Sequence, residues 1–161
     1  MASHGYMTLT GKEQGLISKG CSTPSSIGNK CQSGHTDEIM VLAFNHRMTN
    51  IGNIRHATHG PIQITKNIDK ASPLLAMAMA NREKVNCIIN FYRVSDEGPH
   101  EKYYTVQIED CEIAELMVQV PHAVLENQIE PVEQMALRYQ TIRWTHHLAN
   151  TSGYAFWGNE E

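Results

Sequence analysis

Apolar side chains recur at every second position along most of the chain. Ile62, Ile64 and Ile68 share one parity, with Gln63, Thr65 and Asn67 on the other, and Val85, Cys87, Ile89 and Phe91 repeat the pattern against Asn86 and Asn90. Tyr104, Val106 and Ile108 make a third such face, Ala114, Leu116, Val118 and Val120 a fourth, and Met135, Leu137 and Tyr139 a fifth. Each predicts a half-buried strand. Ile142 and Trp144 fall on the opposite parity from Met135, Leu137 and Tyr139, which predicts a bulge near Thr141 or burial of both faces. The runs 39–44 and 6–10 add two further strands.

One segment departs from this alternation. Ser72 and Pro73 followed by LLAMAMAN predict a helix of about two to three turns over residues 73–81. Ser72 is the expected N-cap acceptor and Pro73 the expected first helical residue. The helix is apolar on nearly every side, so the strands or another subunit must cover it. Strands before and after a single short helix predict a mainly β fold, an antiparallel barrel or sandwich carrying one helix. Two connections are too long for hairpins and read as long loops, 11–34 and 47–60. In the second, Met48, Ile51 and Ile54 are apolar residues among Asn, Gly and His, and Gly52 permits close backbone approach. They bury either against their own barrel or against a partner.

The length, 161 residues, predicts a single domain spanning 1–161. Thirteen basic and 17 acidic residues give a net charge of −4, and no two Lys or Arg residues are adjacent, so nucleic acid is not an expected partner. The longest apolar run, 74–80, falls far short of the ~20 residues of a membrane-spanning helix, so no membrane insertion is expected. The opening residues have no basic start followed by an apolar stretch, which predicts a cytoplasmic origin without an ordinary signal peptide. Cys87 and Cys111 read as buried apolar groups. Cys21 and Cys31 lie in a polar loop where pairing is open to them, although a reducing cytosol disfavours it.

Candidate chemistry is sparse. The histidine pairs His56/His59 and His146/His147 lack a nearby Cys or carboxylate at ligand spacing, so no metal or cofactor is expected. Glu109, Asp110 and Glu112 cluster where a solvated turn is the plainer reading, and no nucleophile elbow or phosphate loop is present.

Three strings carry more information than composition: TKNIDKASPLLAMAMAN (65–81), GHTDEIMVLAF (34–44) before it, and the closing strands ending ALRYQTIRWTH (136–146). Together they resemble the haemolysin-coregulated protein (Hcp) family of type VI secretion, most closely its enterobacterial members. The sequence stops shortly after the last predicted strand, at GYAFWGNEE, so a plain structural form without a toxin extension is expected. The resemblance implies a non-enzymatic β-barrel protomer that forms homo-hexameric rings with a central channel. It also implies that the rings stack into a tube, which a contractile sheath propels behind a spike, with small effectors inside, so that the protein leaves the cytoplasm through that apparatus. In this setting Met48, Ile51, Gly52 and Ile54 are the candidate ring-stacking residues. The low charged fraction, 19% against roughly 25% in ordinary domains, suits surfaces that self-associate. A soluble monomeric ligand-binding barrel is the alternative reading of the same residues, and a small hydrolase using its carboxylates is a third.

Overall fold

Alternating apolar faces become strands only where they find a common interior, and a computed structural model describing residues 4–52 and 55–158 shows that interior as a barrel. In chain order its elements are β1 (His4–Gly11), β2 (Gly15–Leu16), α1 (Pro24–Ile27), a 3-10 turn (Gly28–Lys30), β3 (Ile39–Asn45), β4 (Met48–Thr49), β5 (Thr58–His59), β6 (Ile62–Lys66), α2 (Ser72–Ala80), β7 (Val85–Val94), β8 (His100–Gln119), β9 (Val132–Arg138), β10 (Thr141–His146) and β11 (Thr151–Phe156).

The main sheet runs β11-β10-β8-β7-β1-β3-β6-β9, and β9 returns to pair with β8. Six strands therefore close on themselves, all antiparallel, while β10 and β11 extend as a flap beyond the closure. Met7, Leu9, Ile39, Ile64, Ile89 and Leu137 are among the buried residues filling the barrel. At roughly 1.5–3 kcal/mol for each large side chain fully buried, this interior dominates the stability.

β8 is the spine. Residues 104–109 pair with β10 and 112–119 with β9. β9 and β10 are thus one ladder broken at Tyr139–Gln140, just before the expected irregularity near Thr141, and the Gln140 N–H bridges the break by donating to Glu109 O at 3.1 Å. The third and fourth predicted faces belong to this single strand, and the fourth is corrected in part. Asp110 has φ 51°. The register slips again between Ile113 and Glu115. These irregularities move the inward phase from Val106 and Ile108 to Cys111 and Ile113, then to half-buried Leu116, leaving Ala114, Val118 and Val120 exposed.

Two further expectations are corrected. β6 ends at Lys66, so Ile68 lies outside the strand and is exposed. The 11–34 connection is not bare: it carries β2, α1 and the 3-10 turn, and it drives Ile17 and Cys21 into the core. Cys21 is buried with its thiol toward Ile17 O, Cys31 is half-buried, and both are free.

The helix begins one residue early. Ser72 is its first residue, Pro73 its second, and Ala71 takes the N-cap position without a side-chain cap. Ser72 Oγ instead accepts from the Asp69 N–H at 3.0 Å and from Lys66 Nζ at 3.3 Å, and the Ala71 N–H is taken by Asp69 Oδ1 at 2.9 Å. Lys66 Nζ also reaches Asn67 O at 3.0 Å, Asp69 Oδ1 at 3.0 Å and Glu133 Oε1 at 3.1 Å. The string around TKNIDKASP is therefore a buried polar knot that turns the chain from β6 into α2.

Candidate assembly surfaces

Of the predicted loop residues that are described, Ile51 is the most exposed. β4 and β5 pair as a two-residue ladder, Met48 opposite His59 and Thr49 opposite Thr58, which closes the neck of the loop. Ile51 is 79% exposed and Met48 is also exposed. Gly52 has φ 89° with open space around it within the chain, so its glycine serves a left-handed turn. A close approach lies at Gly60, where an added Cβ would stand 2.8 Å from Arg47 O. Ile54 lies outside the described residues.

The loop is fastened at its base. Tyr139 Oη hydrogen-bonds His46 Nε2 at 2.9 Å and His59 Nδ1 at 2.5 Å. Burial holds both imidazoles below the ordinary range, with His59 adding to the effect on His46, and burial also raises the phenol of Tyr139. Sequence reasoning singled out His59 only as half of a pair with His56 and read Tyr139 only as an apolar strand position, since the partners of its hydroxyl are 93 and 80 residues away in the chain.

A second surface was missed altogether. β11 pairs with β10 along one edge and has no strand on the other among the described residues. It carries Tyr154, 68% exposed, and Phe156, 64% exposed, in an edge-to-face contact at 6.0 Å. Their shared parity across TSGYAF was a usable strand signal. Met48, His59, Ala155 and Phe156 line one groove, so the loop base and this free edge are contiguous.

The remaining candidates have ordinary partners. His147 Nε2 lies 2.6 Å from Thr105 Oγ1, while His146 Nδ1 accepts the Ala149 N–H at 3.1 Å. Glu112 is held below the usual carboxylate range by hydrogen bonds from Lys84 at 2.7 Å and Arg138 at 3.0 Å, and Glu109 accepts from Gln107 at 3.2 Å. Among the described residues no group of three His, Cys, Asp or Glu converges as a metal site, and no helix is long and apolar enough to cross a membrane. What the surface offers is a free strand edge and a projecting apolar loop, both suited to contact with another chain.

The family described as "Type VI secretion system effector, Hcp" matches residues 6–146. The chain is 36% identical to the "Major exported protein" of Pseudomonas aeruginosa, over 98% of this chain and 96% of that protein. It is 37% identical to the Escherichia coli protein YhhZ over 91% of this chain, spanning 36% of that longer protein. Among solved structures it superposes on an Hcp protein with a TM-score of 0.91 at 29% identity, covering 98% of this chain and 99% of that one. On the secreted protein Hcp3 of Pseudomonas aeruginosa the TM-score is 0.87 at 38% identity, covering 98% and 100%.

Proposed function

The chain belongs to the Hcp family of type VI secretion, and on that premise we propose that it is the repeating subunit of a secreted tube. Six copies close into a ring, rings stack, and a contractile sheath drives the tube outward behind a spike, with small effectors in the lumen. The protein acts by shape and assembly, makes and breaks no bond, needs no cofactor, and reaches the exterior through that apparatus. The match over 6–146 carries this reading. The free edge of β11 suits the contact within a ring, because an exposed row of backbone donors and acceptors is a template for a neighbouring chain. Cyclic symmetry then closes a head-to-tail contact. Met48, Ile51, Gly52 and the adjoining Ile54 suit the contact between rings, since Ile51 finds no cover on its own barrel.

Solution mass is the first test. A ring gives about six times the 18.1 kDa chain mass. A monomer would favour the ligand-binding barrel instead. The second test is Ile51→Asp, which should preserve ring mass and melting temperature while abolishing tube growth and secretion. Intact tubes would remove the loop from the stacking contact.

A further inference from the structure

Three side chains shut the base of the 47–60 loop. His46 directly follows β3, His59 lies in β5, and Tyr139 sits in the break between β9 and β10 with its Oη bonded to both rings. Trp157 packs on Tyr139 and His59 with ring centroids at 5.0 and 5.7 Å, and Trp144 stacks on His46 at 6.4 Å. We propose that His46, Tyr139 and His59 form a two-proton latch, positioning residues that hold the loop base against the barrel at neutral pH and release it in acid.

The proton inventory explains why two protons are needed. A phenol has one proton to donate and can accept twice. With both imidazoles neutral, Tyr139 accepts an N–H from one ring and donates its O–H to the bare nitrogen of the other. One protonated ring still donates, so the first proton leaves both hydrogen bonds intact. The second removes the last acceptor: both rings then donate, the phenol proton has no partner, and two cations face each other across one oxygen.

Among the described residues no anionic partner is in place to compensate those charges. On β8, Cys111 faces Tyr139, and burial pushes its thiol up to about 12, so it stays neutral. Lys84, Asp110, Glu112 and Arg138 share the groove beyond Tyr139 and Trp157, and the Glu112 carboxylate is occupied by Lys84 and Arg138. His56 borders the groove beside His59, and Arg47 follows His46 in the chain. Among the described residues no carboxylate pairs with either imidazole. Both rings titrate below their ordinary value in the fold, so the stability they contribute is complete above pH ~6.5 and is lost as pH falls through the lowered values.

Trp144 and Trp157 are the only tryptophans, so emission of the full chain reads the latch directly. Between about pH 8 and about pH 4.5 the emission should change below pH ~6.5 with a slope nearer two protons than one. His59→Gln, whose amide still reaches the phenol, should abolish that change while far-UV circular dichroism stays native. Tyr139→Phe should give at neutral pH the emission that the parent shows in acid. Flat parent emission, a one-proton slope, or an unaltered transition in His59→Gln would each overturn the latch, and the last decides the matter even if Tyr139→Phe fails to fold. The consequence for tubes rests on the stacking role proposed above: a latch that titrates while sedimenting tubes persist in acid would refute that role and leave the latch standing.

Discussion

Lys66 carries more structure than its exposed counterparts because it is fully buried against two carboxylates, Asp69 and Glu133. Burial raises the Asp69 carboxyl, the lysine opposes that rise, and Glu133 Oε2 has no hydrogen-bond partner. Lys66→Met should therefore cost about 3–5 kcal/mol at neutral pH by leaving both carboxylates unpaired. Part of that loss should return in mild acid, because Asp69, already raised by burial, would lose the opposing lysine and take up a proton as pH falls. Urea unfolding at two pH values checks both signs. Glu83 shows the opposite behaviour. Burial pushes its carboxyl up, yet the backbone and side-chain N–H groups of Gln14 and the backbone N–H of Glu13 outweigh it and hold the value below 4.5. Its contribution is present above pH 4.5 and is lost as pH falls through the lower folded value, so Glu83→Ala should cost about 1–3 kcal/mol at neutral pH and less in strong acid. The TKNIDKASP string was conspicuous in the sequence, but its role was not, because Glu133 lies 67 residues from Lys66.

The helix and the two outer strands show how far periodicity reaches. An all-apolar helix announces itself but does not say which side the barrel takes. In the fold Leu75 is fully buried while Met77 is 45% exposed. Leu75→Ala should destabilise the protomer by about 2–5 kcal/mol, whereas Met77→Asp should stay within about 0.5 kcal/mol by thermal or denaturant melting of the protomer. An equal loss from both would place the exposed face inside the barrel wall. β8 concealed its reversals because Asp110 adopts a left-handed backbone without a glycine to mark it. β11 went unread because Gly153 looks like a turn residue. In the strand it lies across from Trp144, whose ring would be 3.8 Å from an added Cβ.

The proposed assembly rests on the family, since no single-chain pattern specifies a ring, but the protomer does constrain what forces could hold one together. Among the described residues the exposed Lys and Arg ion pairs are Lys30–Glu130, Lys84–Glu112, Arg93–Glu101 and Arg138–Glu112. Pairs of this kind contribute about 0–1 kcal/mol each and are screened by salt. The free edge of β11 offers backbone hydrogen bonds and two aromatic rings instead, neither of which salt weakens. Raising sodium chloride to about 1 M, where screening acts within ~3 Å, should therefore leave the oligomer mass unchanged. Tyr154→Asp should dissociate the ring at any salt concentration, because a charge on an exposed edge opposes strand addition without touching the barrel interior. The protomer's melting temperature should stay nearly constant in that variant, which separates failed association from failed folding. Rings that fall to monomers in concentrated salt while Tyr154→Asp still assembles would transfer the subunit contact from this edge to a charged surface elsewhere on the barrel.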